Sequence, residues 1–537
     1  MNQTQTAEKI YNIHQIHNAD FGDKKKGHFP NIPKPDYFIG RDDLLDEIHK
    51  RLQQDEPVLL MNGLGGIGKT AAAQVYANNY KDSYKHIASV FVSGDLRQNM
   101  VDKFRQPLGI DFAPNSSLAQ QFETVILAMQ QVKAKKPNLL LLDNANDKQA
   151  LINLKSALKS SGWKILVTSR CYPDEYAIVE VAELSPTEAM NLFRHYYPTE
   201  SDLLPKLLEK IYHHTLMIEL IAKAGKKKRL SIQQLLERLE SGLSHQDLQR
   251  IITVGSHADS QLKDKQAKLY QYILAMFEPA ELDEEKQRIL RYFSVLPAED
   301  IPLAHLKTLF AVEDENQFED DLDRLFQSGW LSAKDDSYKM HALVQDVLFA
   351  KLKVDNANVA ELIATLSDIM QQHLDIAWNF RNYASAVAQK ISASDITIGS
   401  LNFYLADFYT NVGQLDNALA SITQASRHFK QCGDTERLAI SYERIGLIHQ
   451  ALGEVDKALE FFELYNQLTK ELYESNPKNV ELKNGLAISY YKLGGIVQDK
   501  QQAQAMYTQA IALFQELYDD TRIEIYRERM EIVKKWV

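Results

Sequence analysis

The strongest constraint on the fold of this chain is a glycine-rich segment that ends in Lys-Thr. The segment runs from Gly63 to Thr70, follows the apolar run Val58–Met61 and precedes an alanine-rich stretch. In such a loop the glycines let backbone N–H groups surround a polyphosphate, the lysine reaches the β- and γ-phosphates, and the last hydroxyl ligates Mg²⁺. The order of strand, loop and helix therefore predicts a site for ATP or ADP with Mg²⁺. The candidate binding residues are Gly63, Gly65, Gly66, Ile67, Gly68, Lys69, Thr70 and Ala71.

The segment 37–180 around this loop alternates short apolar runs with helical stretches. Helices are predicted over Asp42–Gln54 and Lys69–Asn79, and strands over Val58–Met61, His86–Val92, Asn138–Leu142 and Lys164–Thr168. This alternation is typical of a parallel α/β sheet, which we assign to a nucleotide-binding domain over 37–180.

An acid follows one of these strands at the edge of the sheet where ligands bind. Asp143 comes after four leucines, and we predict that it holds Mg²⁺ through water, beside Thr70 as the direct ligand. A residue that merely ends the strand is the alternative. The next residue is Asn144 rather than a second acid. Activation of an attacking water is therefore predicted to be weak unless Asp147 or another residue substitutes.

A basic residue follows the strand Lys164–Thr168 at the same edge. Arg170 is placed to sense a γ-phosphate, because the planar donors of a guanidinium bind phosphate oxygens well. A solvated surface arginine is the alternative interpretation. With Lys69 and Asp143, Arg170 completes the candidate catalytic set.

The remainder of the chain is predicted to be mainly helical. A helical domain is assigned to 181–275, where Ser185 can cap the first helix and Pro186 suits its first position. A winged-helix domain is assigned to 276–355, from three helices over Glu284–Phe293, Pro302–Phe310 and Asn316–Ser328 followed by a hairpin. Residues 1–36 are assigned to an arm or linker, and residues 356–399 to a helical linker.

The third helix of the winged-helix segment is acidic, which bears on the choice of partner. It carries Glu319, Asp320, Asp321 and Asp323 against Arg324 alone. An acidic recognition helix would repel phosphates. The net charge of −11 likewise provides no basic footprint, so nucleic acid is not an expected partner.

The C-terminal segment 400–537 contains an internal repeat with a period of 40 residues. Leu405, Ala406 and Tyr409 correspond to Ile445, Gly446 and His449, and a third copy around Tyr490 has its first helix shortened by three residues. Small residues allow paired helices to approach and aromatic residues fill the space between them, as in tetratricopeptide-type hairpins. An ordinary helical bundle is the alternative.

Composition and cysteine usage suggest a cellular location. The hydrophobic fraction of 45% and charged fraction of 25% are those of an ordinary globular protein. The two cysteines, Cys171 and Cys432, fit a reducing compartment better than a disulfide scaffold. Without an apolar leader segment or a run of 18 apolar residues, we expect a cytoplasmic protein with no membrane partner.

The order of these motifs resembles that of NB-ARC-type STAND ATPases, which include plant immune receptors, apoptosome-forming adaptors and bacterial antiphage sensors. The shared motifs are Tyr37–Arg41, the phosphate loop, Leu139–Asn144, Leu166–Arg170, Leu184–Pro186 and Met340-His341. The resemblance covers roughly 37–350, and C-terminal repeats are the common ligand-sensing arm of such proteins.

The resemblance also implies roles for particular residues. Phe38, Ile39 and Arg41 would border the adenine, Arg170 would be the sensor arginine, and His341 would reach the β-phosphate of ADP. This chain departs from the family pattern at Thr215, within His214–Ile218, where a proline normally packs on adenine. It also departs at Asn144, which replaces the usual second acid.

The resulting hypothesis is a slow ATPase that serves as a switch. It is closed with ADP and assembles into a homo-oligomer when a protein ligand binds the repeats, and antiphage defence is its expected role. Either the N-terminal arm recruits a separate effector, or assembly itself is the output. The alternatives are a transcription regulator of the same class, a constitutive motor or chaperone, and a passive scaffold. The basic run Lys226–Arg229 is interpreted as a solvated helix cap, with a partner patch as the alternative.

Overall fold

The computed structural model describes residues 32–35, 37–54, 58–92, 94–113, 116–132, 135–158, 161–169, 176–240, 269, 272–273, 279, 282–391 and 395–537. The chain divides into two compact units. The first comprises Met1–Phe112, Ala119–Ala304 and Glu313–Val354, and the second comprises Ala113–Leu118, His305–Val312 and Asp355–Val537.

The first unit contains a five-stranded sheet in which every described pair of strands is parallel. Its strands are β1 (Val58–Asn62), β2 (Ile87–Phe91), β3 (Asn138–Asp143), β4 (Trp163–Thr168) and β5 (Ala177–Glu180). The spatial order is β2-β3-β4-β1-β5, so β4 lies between the strand that leads into the glycine-rich loop and the strand that ends in Asp143. The sequence predicts the first four strands but not β5, which has four residues of which one, Val179, is buried.

Helices flank this sheet. They are α1 (Asp42–Gln53), α2 (Lys69–Asn79), α3 (Leu96–Arg105), α4 (Leu118–Gln131) and α5 (Lys148–Leu158). The inner strands are almost continuously apolar and fully buried, as expected for a parallel sheet covered on both faces. This fold confirms the predicted nucleotide-binding architecture.

Within the described residues 181–240, four helices follow the sheet. They are α6 (Pro186–Tyr196), α7 (Leu204–Lys210), α8 (Thr215–Lys228) and α9 (Ile232–Glu240). The predicted start of this helical region is correct in detail. Ser185 accepts from the backbone N–H of Glu188 while the Glu188 side chain accepts from the Ser185 backbone, which is a complete capping box.

Four helices and a small antiparallel sheet follow, and the first three helices with the hairpin β7–β8 are the composition expected of a winged helix. They are α10 (Glu284–Val295), β6 (Ile301–Pro302), α11 (Leu303–Leu309), α12 (Glu315–Gln327), β7 (Ser332–Lys334), β8 (Ser337–Lys339) and α13 (Ala342–Lys351). The sequence pattern predicts that the second helix begins at Pro302. That residue instead ends a short strand paired with β8, because a proline can lie on the edge of a sheet without donating.

The second unit is built from helices. They are α14 (Ala360–Gln372), α15 (Leu374–Lys390), α16 (Ile396–Asn411), α17 (Leu415–Cys432), α18 (Thr435–Ala451), α19 (Val455–Ser475), α20 (Val480–Gly494), α21 (Lys500–Thr521) and α22 (Glu524–Lys534). The helices α16 to α21 form three successive hairpins. The first hairpin begins at Ile396, four residues before the predicted repeat segment.

Small residues bring the two helices of each hairpin close together, as the repeat pattern predicted. A Cβ atom at Gly446 would lie 2.7 Å from the ring of Phe462, and one at Gly494 would lie 2.7 Å from the ring of Tyr507. The shortened third copy is also visible, because α20 ends at Gly494 whereas α18 continues for five residues beyond Gly446. Among the described residues, no helix has the length and apolar character needed to cross a membrane.

Candidate nucleotide-binding site

The glycine-rich loop connects the buried strand β1 to the N-terminus of α2. Gly63, Gly66 and Gly68 have φ values of 147°, 79° and 103°, a region that favours glycine. Lys69 begins α2 and turns back over the loop, where its Nζ donates to the carbonyl oxygens of Gly63 at 2.8 Å and Leu64 at 3.0 Å. The loop therefore has the left-handed turns and the basic side chain that phosphate binding requires.

A cluster of oxygen atoms lies where three strands and the loop meet. Thr70 Oγ1 donates to Asp143 Oδ1 at 2.7 Å, and Thr168 Oγ1 donates to the same carboxylate oxygen. Thr168 reaches it because β4 lies directly beside β3. A hydroxyl and a single carboxylate fit Mg²⁺, which takes oxygen ligands and is completed by phosphate and water. Thr70 and Asp143 are thus brought together as the sequence analysis predicted, and Thr168 is an additional member of the cluster.

Asn144 has a structural role that explains why this position carries an amide side chain. Its backbone φ of 62° is left-handed, a conformation that asparagine tolerates better than most residues. Its Nδ2 donates to the carbonyl oxygen of Val92 at 3.1 Å, and its Oδ1 accepts from Asn146 Nδ2 at 2.9 Å. The amide at this position therefore ties β3 to the end of β2.

Arg41 reaches the loop from the segment before α1. Its Nη2 donates to Ile67 O at 2.5 Å, to Thr215 Oγ1 at 3.2 Å and to Ala182 O at 3.2 Å. Burial lowers the pKa of this guanidinium, opposed by nearby carboxylates including Glu188. Arg41 therefore contacts the phosphate loop at the carbonyl oxygen of Ile67.

The glycine before Arg41 explains how the chain passes this point. Gly40 has φ of 65°, and a Cβ atom there would lie 1.8 Å from Glu188 Oε1. Arg41 is also left-handed, with φ of 69°. The two successive left-handed residues turn the chain into α1 and direct the Arg41 side chain toward the loop.

The start of α8 contacts the other side of the loop backbone. His214, fully buried, donates from Nε2 to Gly65 O at 2.9 Å. Thr215 Oγ1 donates to Ile67 O at 2.9 Å, and the backbone N–H of Leu216 donates to Gly66 O at 3.2 Å. The resemblance singled out Thr215 as a departure from proline; the structure shows its hydroxyl bonded to the loop. Sequence reasoning missed the role of His214, although its position beside Thr215 was a usable signal.

Other predicted site residues lie close to these elements. Phe38 is partly buried against the core of the nucleotide domain, and Ile39 is half-buried. Ala71 lies in the first turn of α2. The roles of Phe38 and Ile39 at an adenine remain predictions. Arg170 lies outside the described residues, so its proposed sensor role is likewise a prediction.

His341 is the N-cap of α13. Its Nδ1 accepts from the backbone N–H of Leu343 at 3.1 Å, which leaves Nε2 as the nitrogen that carries the proton in the neutral ring. Nε2 is therefore the atom that could donate to a phosphate. The contact with ADP implied by the resemblance remains a prediction.

The basic run Lys226–Arg229 forms the end of α8, as the cap interpretation proposed, but one of its lysines also makes a domain contact. Lys227 Nζ donates to Arg324 O at 3.1 Å and to Ser328 Oγ, both at the end of α12. A cation placed at a helix C-terminus complements the negative end of the helix dipole. The run is therefore not simply solvated, because Lys227 joins the helical region to the winged helix.

Two acids of α12 are held by internal partners. Asp321 is buried and pairs with Lys286 Nζ at 2.7 Å. Asp323 accepts from Tyr338 Oη at 2.8 Å, and burial together with this hydrogen bond raises the pKa of Tyr338 to about 12. These acids thus stabilise the winged helix itself, which gives the acidic character of α12 a structural reason.

The parallel sheet, the loop and the Thr70–Asp143 pair define a P-loop NTPase. Residues 41–201 match the family model of the NB-ARC domain. Residues 41–201 therefore form an NB-ARC domain, which has the P-loop NTPase fold. No curated protein matches the chain in sequence.

Several solved structures resemble the chain at low identity. A STAND protein with a tetratricopeptide repeat sensor from Pyrococcus horikoshii is 15% identical, with 92% of this chain and 86% of that chain covered and a TM-score of 0.39. A Walker-type ATPase of Pyrococcus abyssi is 13% identical, with 59% and 98% covered and a TM-score of 0.29. AMPPCP-bound DnaA from Aquifex aeolicus is 14% identical, with 45% and 86% covered and a TM-score of 0.28. These TM-scores are too low to support an argument about function.

Proposed function

We propose that this protein binds ATP or ADP with Mg²⁺ at the loop Gly63–Thr70 and uses the nucleotide as a cytoplasmic signalling switch. The observation that carries the proposal is the 2.7 Å bond between Thr70 Oγ1 and Asp143 Oδ1, beside the lysine at the start of α2. These oxygens would hold Mg²⁺, and Lys69 would exchange its loop carbonyls for phosphate oxygens. A passive scaffold would have no use for this arrangement.

Hydrolysis in this proposal is slow, so that the nucleotide carries information rather than driving work. The residue after Asp143 has an amide that is engaged with Val92 O, and it supplies no carboxylate to activate water. This observation favours a switch over a constitutive motor. ATP turnover is expected to be far below the roughly 1–100 s⁻¹ of kinases.

The resting state is closed and contains ADP. Two contacts of the first unit support a closed arrangement. Lys227 joins α8 to α12, and Lys339 Nζ of the wing lies 5.8 Å from the ring centroid of Phe91 at the end of β2. In this arrangement His341 would donate to the β-phosphate from Nε2. Breaking the contacts would open the unit and allow homo-oligomers to form.

The trigger is a protein ligand of the C-terminal repeats. The second unit contains a cavity of about 450 Å³ among α14, α16 and α18. Phe403 and Tyr404 line it, and Asp407 Oδ1 lies 3.2 Å from Arg444 Nε. An aromatic-lined pocket with an ion pair could receive an anchoring side chain of a protein ligand.

Nucleotide titration tests the first part of the proposal. Calorimetry with ADP and with ATP, in Mg²⁺ and in EDTA, should show binding by the full chain. Lys69→Ala removes the charge that meets the phosphates and should bind far more weakly while its thermal unfolding is unchanged. Equal affinity in the folded variant would contradict the site assignment.

Mass photometry tests the switch. His341→Ala would remove the proposed phosphate contact and also the cap of α13, whereas His341→Ser removes the ring Nε2 and keeps a capping oxygen. Both variants should form oligomers with ATP in the absence of a trigger. One charge-assisted hydrogen bond is worth roughly 1.5–3 kcal/mol, whereas full inversion of a 1:99 population needs about 5.5 kcal/mol, so activation should be partial. If only His341→Ala assembles, the cap rather than the nucleotide contact is responsible.

The biological setting we propose is defence against phage, with the N-terminal arm recruiting a separate effector. Plaque counts on cells that express the full chain should fall, and Lys69→Ala should abolish the protection. Arg444→Glu should abolish it as well, since it reverses the charge at the repeat cavity while leaving the nucleotide site intact. Protection by Lys69→Ala equal to wild type would refute a nucleotide-dependent role.

A further inference from the structure

The carbonyl groups of the phosphate loop are held by donors from outside the loop. His214 Nε2 bonds to Gly65 O, the Leu216 backbone N–H bonds to Gly66 O, and Thr215 Oγ1 and Arg41 Nη2 both bond to Ile67 O. The carbonyl oxygens of three consecutive loop residues thus accept hydrogen bonds from the start of α8. The third of these oxygens, Ile67 O, also accepts from Arg41.

These bonds fix the direction of the loop amides. In a trans peptide the carbonyl of one residue and the N–H of the next point in opposite directions. With the carbonyls of Gly65 and Ile67 turned toward α8, the N–H groups of Gly66 and Gly68 point away from α8. Within the described part of the chain, neither N–H donates a hydrogen bond. They are therefore available for an anionic ligand.

We propose that His214 is a positioning residue that presets the phosphate loop, and that the start of α8 makes nucleotide retention depend on the helical region staying docked. The proposal rests on nucleotide binding at the loop. His214 acts on the loop backbone, and the amides that it orients bind the ligand.

The packing around His214 supports a specific role over simple space filling. Its side chain is fully buried, and the carbonyl that it meets belongs to the buried Gly65. A Cβ atom at Gly66 would lie 2.9 Å from Leu216 Cβ and 3.1 Å from His214 Cε1, so the loop and α8 are in close contact. The backbone can approach this closely only because Gly66 is a glycine.

Separation of α8 from the sheet would directly affect the bound nucleotide. Movement of α8 away from the sheet would remove the donors to Gly65, Gly66 and Ile67 together. The loop would then lose the preset orientation of its amides, and bound ADP would dissociate faster. Opening and nucleotide exchange would therefore be coupled through the backbone of the phosphate loop.

Two substitutions of similar size separate the hydrogen bond from packing. His214→Leu fills the space without a donor, whereas His214→Gln keeps an N–H that can reach Gly65 O. Ile218→Ala is the matched control, because Ile218 is fully buried one turn further along α8 and has no hydrogen-bonding group. Thr215→Val removes one donor to Ile67 O, and this variant tests the inference if neither His214 variant folds.

The readouts are the dissociation rate of a fluorescent ADP analogue from the full chain and hydrogen exchange of residues 63–68 in nucleotide-free protein. His214→Leu should release the analogue roughly 2- to 10-fold faster, the loss expected from one hydrogen bond, and should exchange faster in the loop. His214→Gln should stay close to wild type. Thr215→Val should change in the same direction as His214→Leu.

Failure of the inference can be distinguished from failure of the proposed function. Wild-type release rates in both His214→Leu and Thr215→Val would overturn the inference while nucleotide binding stands. Equal acceleration by Ile218→Ala would also overturn it, because general loosening of α8 would then suffice. If wild type binds no nucleotide, the proposed function fails, and the exchange measurement without ligand still decides whether His214 orders the loop.

Discussion

Replacing Asn144 with aspartate should destabilise the nucleotide domain without creating a fast ATPase. An acid at this position is the change that the family pattern suggests for restoring hydrolysis. In this structure, however, the side chain is directed to the end of β2, where its Nδ2 donates to Val92 O at 3.1 Å. Asn144→Asp would replace that donor with a carboxylate oxygen facing a carbonyl oxygen.

The magnitude follows from the groups involved. Leaving a buried acceptor without its donor costs about 1–3 kcal/mol. The bond from Asn146 Nδ2 to the side-chain oxygen, now 2.9 Å, would become charge-assisted and offset part of this cost. The backbone adds little, because aspartate and asparagine both tolerate φ of 62°. We expect a net loss of about 1–2 kcal/mol in the free energy of unfolding.

The assays are urea unfolding of the nucleotide domain within the full chain and phosphate release from ATP. Gln149→Glu is the control, since it makes the same change from amide to carboxylate at an exposed position of α5. That variant should unfold within about 0.5 kcal/mol of wild type. A tenfold or greater rise in turnover for Asn144→Asp, with unchanged stability, would refute the assignment of a purely structural role to this side chain.

Three further predictions concern the metal, the domain contact and the repeats. Asp143→Asn keeps an oxygen that can accept from Thr70 and Thr168, so the free energy of unfolding of this variant should change by about 1 kcal/mol or less. The Mg²⁺ dependence of its nucleotide affinity should disappear in calorimetry. A retained dependence would exclude Asp143 as a metal ligand. Lys227→Met should raise amide exchange at the end of α12 about 2- to 5-fold, and unchanged exchange would show that the contact contributes nothing. Gly446→Ala should lower the unfolding free energy of the second unit by about 1–3 kcal/mol because the new methyl group meets Phe462, whereas Gly485→Ala has ordinary space and should be neutral or stabilising. Equal effects of the two glycine substitutions would contradict the packing argument.

The sequence predicted the parts of this protein that depend on local pattern. The glycine-rich loop requires left-handed backbone at fixed positions, and the three inner strands β1, β3 and β4 are buried apolar runs that can be recognised from the sequence alone. The capping box at Ser185 and the small residues at Gly446 and Gly494 are likewise local signals, each with a spacing set by helix geometry. For the same reason the pair Thr70 and Asp143 could be predicted, because both lie at the carboxyl edge of the sheet.

Only the tertiary structure decided which groups hold the loop in place. Strand β5 has four residues with one buried side chain, so its apolar pattern is too weak to be recognised from the sequence alone. His214 lies 149 residues from the glycine whose carbonyl it meets, and Lys227 lies about 100 residues from α12. Such contacts depend on the packing of separate elements, so a histidine or a lysine at these positions reads in sequence as an ordinary core residue or a solvated cap. The sequence determined that a phosphate loop exists, and the docking of α8 and Arg41 against it determined how its backbone is oriented.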